Sequence, residues 1–299
     1  MPAATAGPIA PAAPLTGCPV HQPPPSGPGK PQQPPRVGEA LLPAPLPVLR
    51  KAHDVDVVRG KGLWATPFGS SRVDVADLVA TARRAGVRSI WIRTGGTRQG
   101  YYGDLFLPQL LPAAHQVGIA VIAWDFPFLS DPVADSRRAR STLDAGVDGF
   151  SPDIETRAEG SYPTPRRVQL YLSLVRRYAG SRPVIATVPR PSEFRKTFPY
   201  AAFVPYADIF APMVYWSCKE PGSLVQQSIQ LLSRLLPVAP VGQGYDMAPE
   251  GGRRGTPSRA ETLRFLDASR RAGAIGASLW TVEEAGPVQL TALAEFSWP

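Results

Sequence analysis

The sequence predicts an α/β protein of one architecture, a (β/α)8 TIM barrel preceded by a Pro-rich disordered N-terminal segment, and three observations predict it. From Gly62 onward, short apolar runs and amphipathic stretches alternate eight times over. The joints repeat as well: Ala85-Gly86-Val87, Val117-Gly118-Ile119, Ala145-Gly146-Val147 and Ala272-Gly273-Ala274 each end a helix on glycine and start a strand. Glycine at that position takes the left-handed conformation that stops a helix and returns the chain to the sheet. No G-x-G-x-x-G follows the first strand, which removes the main signal for the open, doubly wound alternative.

Taken in order, residues 1 to about 50 hold 15 of the 36 prolines and little apolar periodicity, so they read as an extended tether ahead of a 51–299 barrel domain. Leu46 to Val58 reads as a lead-in across the bottom of that domain. The predicted strands are 63–68, 89–94, 120–126, 150–155, 184–189, 209–216, 238–245 and 277–282. Helices are predicted near 73–85, 104–117, 132–145, 165–179, 223–236, 258–272 and 287–296, with an irregular one around 198–206. Asp131-Pro132, Thr164-Pro165 and Thr256-Pro257-Ser258 place a capping side chain or a proline where a first turn begins. In the fourth helix Val168, Leu172, Val175 and Ala179 form one apolar stripe, with Arg166, Arg167, Arg176 and Arg177 on the other sides.

Length and composition bound the function. At 299 residues with 43% apolar content the chain buries a large core. The net charge of +8 is spread over pairs such as Arg83-Arg84, Arg137-Arg138, Arg176-Arg177 and Arg270-Arg271, which reads as a solvated exterior and not as a nucleic-acid stripe. Cys18 and Cys218 lie in unrelated settings and specify no disulfide framework, and His21, His53 and His115 have no ligand spacing, so no cofactor or metal is expected. No stretch approaches the roughly twenty apolar residues of a membrane span. Leu15-Thr16-Gly17-Cys18 resembles a lipobox, but the segment before it lacks Lys and Arg and is broken by Pro2, Pro8, Pro11 and Pro14. It would make Cys18 a lipidation site only if the native start lies upstream. The tail still favours export, as a secreted or cell-surface protein, and a monomer is expected.

The chemistry concentrates in Asp148-Gly149-Phe150-Ser151-Pro152-Asp153-Ile154-Glu155. On a strand Ser151, Asp153 and Glu155 share a face, and the carboxylates fall at its C-terminal end, where a barrel keeps its active site. The other strand ends supply Trp64, Arg93, Trp124, Asp125, Trp216, Tyr245, Asp246 and Trp280, with Tyr215, Glu283 and Glu284 beside them. Aromatic faces stack on sugar rings, and acidic groups take up hydroxyls. The competing reading is that the aromatics fill the barrel and the acids pair with Arg93 or Arg190.

Asp148-Gly149-x-Ser151-x-Asp153-x-Glu155 resembles the D-G-x-D-x-D-x-E strand of the chitinase-type glycoside hydrolases, family 18, with Ser151 in place of the middle Asp. Met213-Val214-Tyr215 is similar to that family's M-x-Y, and Trp280 falls where its eighth strand carries a tryptophan at the floor of the sugar site. The resemblance implies Glu155 as general acid, with Asp153 and Tyr215 orienting a substrate 2-acetamido group, the substrate-assisted route. Ser151 leaves the family's carboxylate relay incomplete, and Trp216 stands where the family usually has Asp. Asp125 or Asp246, with Glu283 or Glu284 behind, could instead supply a second carboxylate facing Glu155, about 5 Å away for retention or roughly 6.5 to 9.5 Å for inversion. The expected function is an exported glycosidase acting on an envelope or extracellular polysaccharide. The alternatives are a catalytically silent glycan-binding barrel and a lysozyme-like muramidase.

Overall fold

Short, mostly apolar runs buried on both faces build eight parallel strands: β1 (Gly60–Ala65), β2 (Ser89–Gly96), β4 (Ala120–Phe126), β5 (Gly149–Pro152), β6 (Ile185–Pro189), β7 (Ile209–Val214), β8 (Val241–Gln243) and β9 (Gly276–Trp280). The computed structural model describes residues 18, 34–48, 51, 55–67, 73–192 and 196–299. Apart from Cys18, the expected tether over 1–33 lies outside the described residues. A two-residue strand absent from the sequence reading, β3 (Gly100–Tyr101), folds back antiparallel on the end of β2.

The strands pair in the order β5-β4-β2-β1-β9-β8-β7-β6. β5 and β6 meet only at isolated bridges, Phe150 with Val184 and Asp153 with Thr187, so the barrel is nearly closed with a seam at that line. Among the described residues seven helices cover it: α1 (Val75–Arg84), α2 (Leu107–Gln116), α3 (Pro132–Asp144), α4 (Pro165–Ala179), α5 (Pro221–Leu232), α6 (Arg259–Arg271) and α7 (Pro287–Glu295). A 3-10 turn, Tyr200–Ala202, stands in the place of a helix between β6 and β7.

The predicted start and stop signals act as expected. Asp131, Thr164 and Ser258 cap α3, α4 and α6 through their side chains, and Ser258 forms a reciprocal box with Glu261. Gly86, Gly118, Gly146 and Gly273 have φ between 62° and 93°, the region that glycine enters without strain. The stripe on α4 is fully buried against the sheet, contributing roughly 1.5 to 3 kcal/mol for each large side chain.

Two apolar clusters divide the molecule. One lies between strands and helices; the other, with Trp64, Trp91, Ile122, Trp124, Ile185 and Ile209, fills the barrel. Trp64 stacks on Trp91 with ring centres 4.8 Å apart and tilts against Trp124 at 5.5 Å. The barrel is therefore packed with indoles in addition to the usual aliphatic layers.

Three sequence expectations need correction. Cys18 and Cys218, 200 residues apart, are joined as a disulfide with their Cα atoms 5.7 Å apart, a pairing that no spacing rule could reveal. A sulfur in that bond cannot also carry a lipid, which removes Cys18 as a lipidation site. The Arg pairs are not uniformly solvated: Arg176 is buried and ion-paired with Asp208, and Arg138 turns inward to Asp125 and Asp135. Arg167 is buried as well, because residues 34–48 dock along α4. There Arg167 meets Glu39, at 2.9 Å, and donates to the carbonyl of Val37, while the Leu46 amide donates to Ser173 Oγ.

Candidate functional site

The end of β5 is held from both neighbours. The Asp153 amide donates to the Asp125 carbonyl at 2.8 Å, and the Ile154 amide to the Thr187 carbonyl at 3.0 Å. Side-chain alternation then sends Ser151 and Asp153 into the barrel. Ser151 Oγ gives its proton to the Ile185 carbonyl and lies 2.7 Å from Thr187 Oγ1, which makes Thr187 the donor of that contact. A neutral hydroxyl pair thus sits beneath Asp153.

Asp153 is 4% exposed, and its Oδ1 has no hydrogen-bond partner among the described residues. Burial pushes its carboxyl up to about 7; Arg93 opposes the shift, and Glu159 and Asp125 add like charge. The raised value therefore falls on Asp153, with burial as its leading cause. Arg93 is held over the Trp124 ring, 5.0 Å from its centre, and donates to the Gly95 carbonyl.

Glu155 is half-buried and lines a cavity of about 610 Å3 together with Asp153, Met213, Tyr215, Tyr245 and Trp280. Burial, followed by Tyr245, Asp153, Glu155 and Glu250, holds the Tyr215 phenol well above its usual range, so it remains a proton donor. Tyr215 meets Tyr245 edge-on at 5.4 Å, and Tyr245 donates to Glu250 at 3.0 Å. Trp280 forms the floor, resting on Trp64 at 5.3 Å and Trp124 at 5.1 Å. A second cavity of about 640 Å3 shares Tyr245, Glu250 and Trp280 with the first.

The structure thus brings together Asp153, Glu155, Met213, Tyr215, Tyr245 and Trp280, with Arg93 behind Asp153. It does not bring Trp64 and Trp124 to the groove; they are the buried support for Trp280, as the core-filling reading has it. Trp216 packs on Phe265 of α6 and reaches Glu261, on the outside of the sheet. Asp125 also faces outward, to Arg138 at 3.2 Å, with burial raising its carboxyl to about 6 against the pull of Arg138. It cannot be the carboxylate opposite Glu155. Asp246 lies in the second cavity, where its carboxylate accepts from the Ala248 amide. Sequence reasoning missed Glu159 and Glu250, which reach the groove from loops after β5 and β8 and carry no spacing signal.

An acid-bearing, aromatic-floored groove thus lies at the C-terminal rim of a (β/α)8 barrel. No family model and no curated protein matches the sequence. Solved structures do match the fold. They include the family 18 chitinase ChiB of Flavobacterium johnsoniae, at TM-score 0.56 and 11% identity over 80% of this chain and 93% of that one. The spore cortex-lytic enzyme SleL of Bacillus cereus matches at 0.60 and 13% over 80% and 75%. A chitinase of Chromobacterium violaceum matches at 0.59 and 11% over 79% and 98%.

Proposed function

We propose that this protein is an exported glycoside hydrolase that cleaves an envelope or extracellular polysaccharide containing N-acetylhexosamine units. The observation that carries the reading is Asp153: a carboxylate with one oxygen unpartnered, buried beside a phenol donor in the same groove as Glu155. Glu155 protonates the glycosidic oxygen. The glycosidic bond to that oxygen breaks and the leaving sugar departs as an alcohol while the substrate's acetamido oxygen, oriented by a hydrogen bond from Tyr215, attacks the anomeric carbon to give an oxazolinium whose N–H donates a hydrogen bond to the Asp153 carboxylate. Water then opens the ring, and Glu155 takes its proton. The chitinase and cortex-lytic neighbours support the substrate class, and a disulfide supports export, since such bonds persist in oxidising compartments.

The test is hydrolysis of chitin oligomers and of peptidoglycan by the wild type and by Glu155→Gln. The variant is expected to fold and to lose about 10²- to 10⁴-fold in turnover. Undiminished turnover would sink the assignment of Glu155. Release of reducing ends from peptidoglycan alone would select the muramidase reading.

A second reading is favoured by the hydroxyl pair of Ser151 and Thr187, which puts no carboxylate beneath Asp153. On it, the barrel binds glycan without turnover. Calorimetric binding by a wild type that releases no product at any pH would select it.

A further inference from the structure

Gln243 is fully buried at the end of β8, in a barrel otherwise packed with indole and aliphatic side chains, and the proposed reaction does not use it. Burying an amide side chain is unfavourable unless each of its ends finds a partner. Both do: Oε1 accepts from the Ser217 amide at 2.8 Å, and Nε2 donates to the Tyr245 carbonyl at 3.0 Å. A main-chain N–H on one side and a main-chain carbonyl on the other call for a group that accepts at one end and donates at the other, as a carboxamide does. The two ends of this bridge fall on the two tyrosines of the site. Ser217 stands two residues after Tyr215 in the loop that leaves β7, and Tyr245 itself carries the carbonyl.

A separate observation shows that the geometry there is imposed. Ser217 has φ 48°, a left-handed conformation that a residue with a side chain rarely adopts, and such residues cluster where surrounding contacts hold them for function. It is gripped from the other side as well. Ser217 Oγ accepts from the Arg253 amide at 2.9 Å, next to Gly252, where a Cβ would stand 2.8 Å from that oxygen. Buried Arg253 in turn donates twice to Glu261, at 2.7 and 3.0 Å, and Glu261 also accepts from Trp216 Nε1. The loops after β7 and β8 are thus locked to each other, with Tyr215 and Tyr245 at their roots and their rings edge-on at 5.4 Å. Burial leads in holding both phenols protonated, and Glu155 contributes to each, so the pair stands beside Glu155.

We infer that Gln243 is a positioning residue: by tying the chain just beyond Tyr215 to Tyr245, it fixes the direction in which the Tyr215 hydroxyl meets the substrate. This rests on the role proposed above for Tyr215. The experiment compares kcat and KM on chitin oligomers for the full chain, for Gln243→Met, for Tyr215→Phe and for the two together. Methionine keeps nearly the length and volume of glutamine and neither of its contacts. Gln243→Met is expected to lower kcat about tenfold with KM little changed, and to have no further effect once Tyr215→Phe has removed the hydroxyl. The same loss in both backgrounds would overturn the inference, because a merely structural residue acts regardless of that hydroxyl. Gln243→Glu, which keeps the acceptor for Ser217 and loses the donor to Tyr245, runs through the same cycle and decides the matter if Gln243→Met does not fold. Amide hydrogen exchange on the same samples separates this inference from the reading it rests on. Faster exchange confined to 215–218 and 245–247 upholds the bridge even in a chain that turns no oligomer over, and the failure then falls on the glycosidase. Unchanged exchange there, or an equal rise across the barrel, overturns the bridge whatever the activity.

Discussion

Arg93 is the cation that opposes the effect of burial on Asp153. It is fixed over the Trp124 ring and through the Gly95 carbonyl, so its charge is positioned by the barrel and not by the groove. The carboxylate it serves is raised to about 7, so the ionised form that would take up an acetamido N–H is populated only near and above neutrality.

Replacing Arg93 by Gln removes the charge that favours the Asp153 anion, which moves its pKa upward. The acidic limb of the kcat/KM profile is expected to start near pH 7 in the wild type and to shift to higher pH in the variant. An unchanged limb would mean that Asp153 is not the titrating group.

Asp153 also predicts how stability depends on pH. Its folded-state value lies above its unfolded value of 3.8, so between about 4 and 7 the unfolded chain releases a proton that the native state keeps. Stability therefore falls as pH rises through that window. Asp153→Asn should abolish this loss and leave the variant more stable than the wild type at pH 8, while hydrolysis drops. Denaturant unfolding at pH 4 and pH 8 makes the comparison.

The disulfide closes a loop of 200 residues, and its loss is expected to cost roughly 3 to 5 kcal/mol through the unfolded state. Cys218 follows Trp216 in the loop after β7, which also carries Tyr215. Cys218→Ser should therefore lower the melting temperature and raise KM, read by calorimetry and steady-state kinetics on the same sample.

Arg176 and Asp208 form a buried pair in which Asp208 also accepts the Val184 amide. Arg176→Met strands the Asp208 carboxylate just ahead of β7 and should destabilise by roughly 3 to 5 kcal/mol. Restoring most of that loss with Asp208→Asn would show that the cost is the uncompensated charge.

Much of the barrel could be read before folding, because glycine at the helix ends, capping residues at the starts and short apolar runs are all local signals. The pair at Asp153 and Glu155 was legible for the same reason. Direction at the strand ends was overread: adjacent residues point to opposite faces, so Trp124 and Asp125, or Tyr215 and Trp216, cannot both enter the barrel. Choosing the inward member needs the pairing register, in which Trp124 lies beside Ser151 and Asp125 beside Pro152. The acids at Glu159 and Glu250, and the partner of Cys18, depend on loop paths that no periodicity encodes.

A barrel joined along one line only by isolated bridges is, mechanically, a curled ribbon with two margins, and Asp153 stands on one of them. The helix that spans this gap is α4, and residues 34–48 lie along it through Glu39, Val37 and Leu46. Residues 34–48 thus brace the outer side of the element that connects Asp153's margin to the opposite one at Thr187. A stretch that reads as a spacer in the sequence is thus tied to the helix that links the two margins of the ribbon.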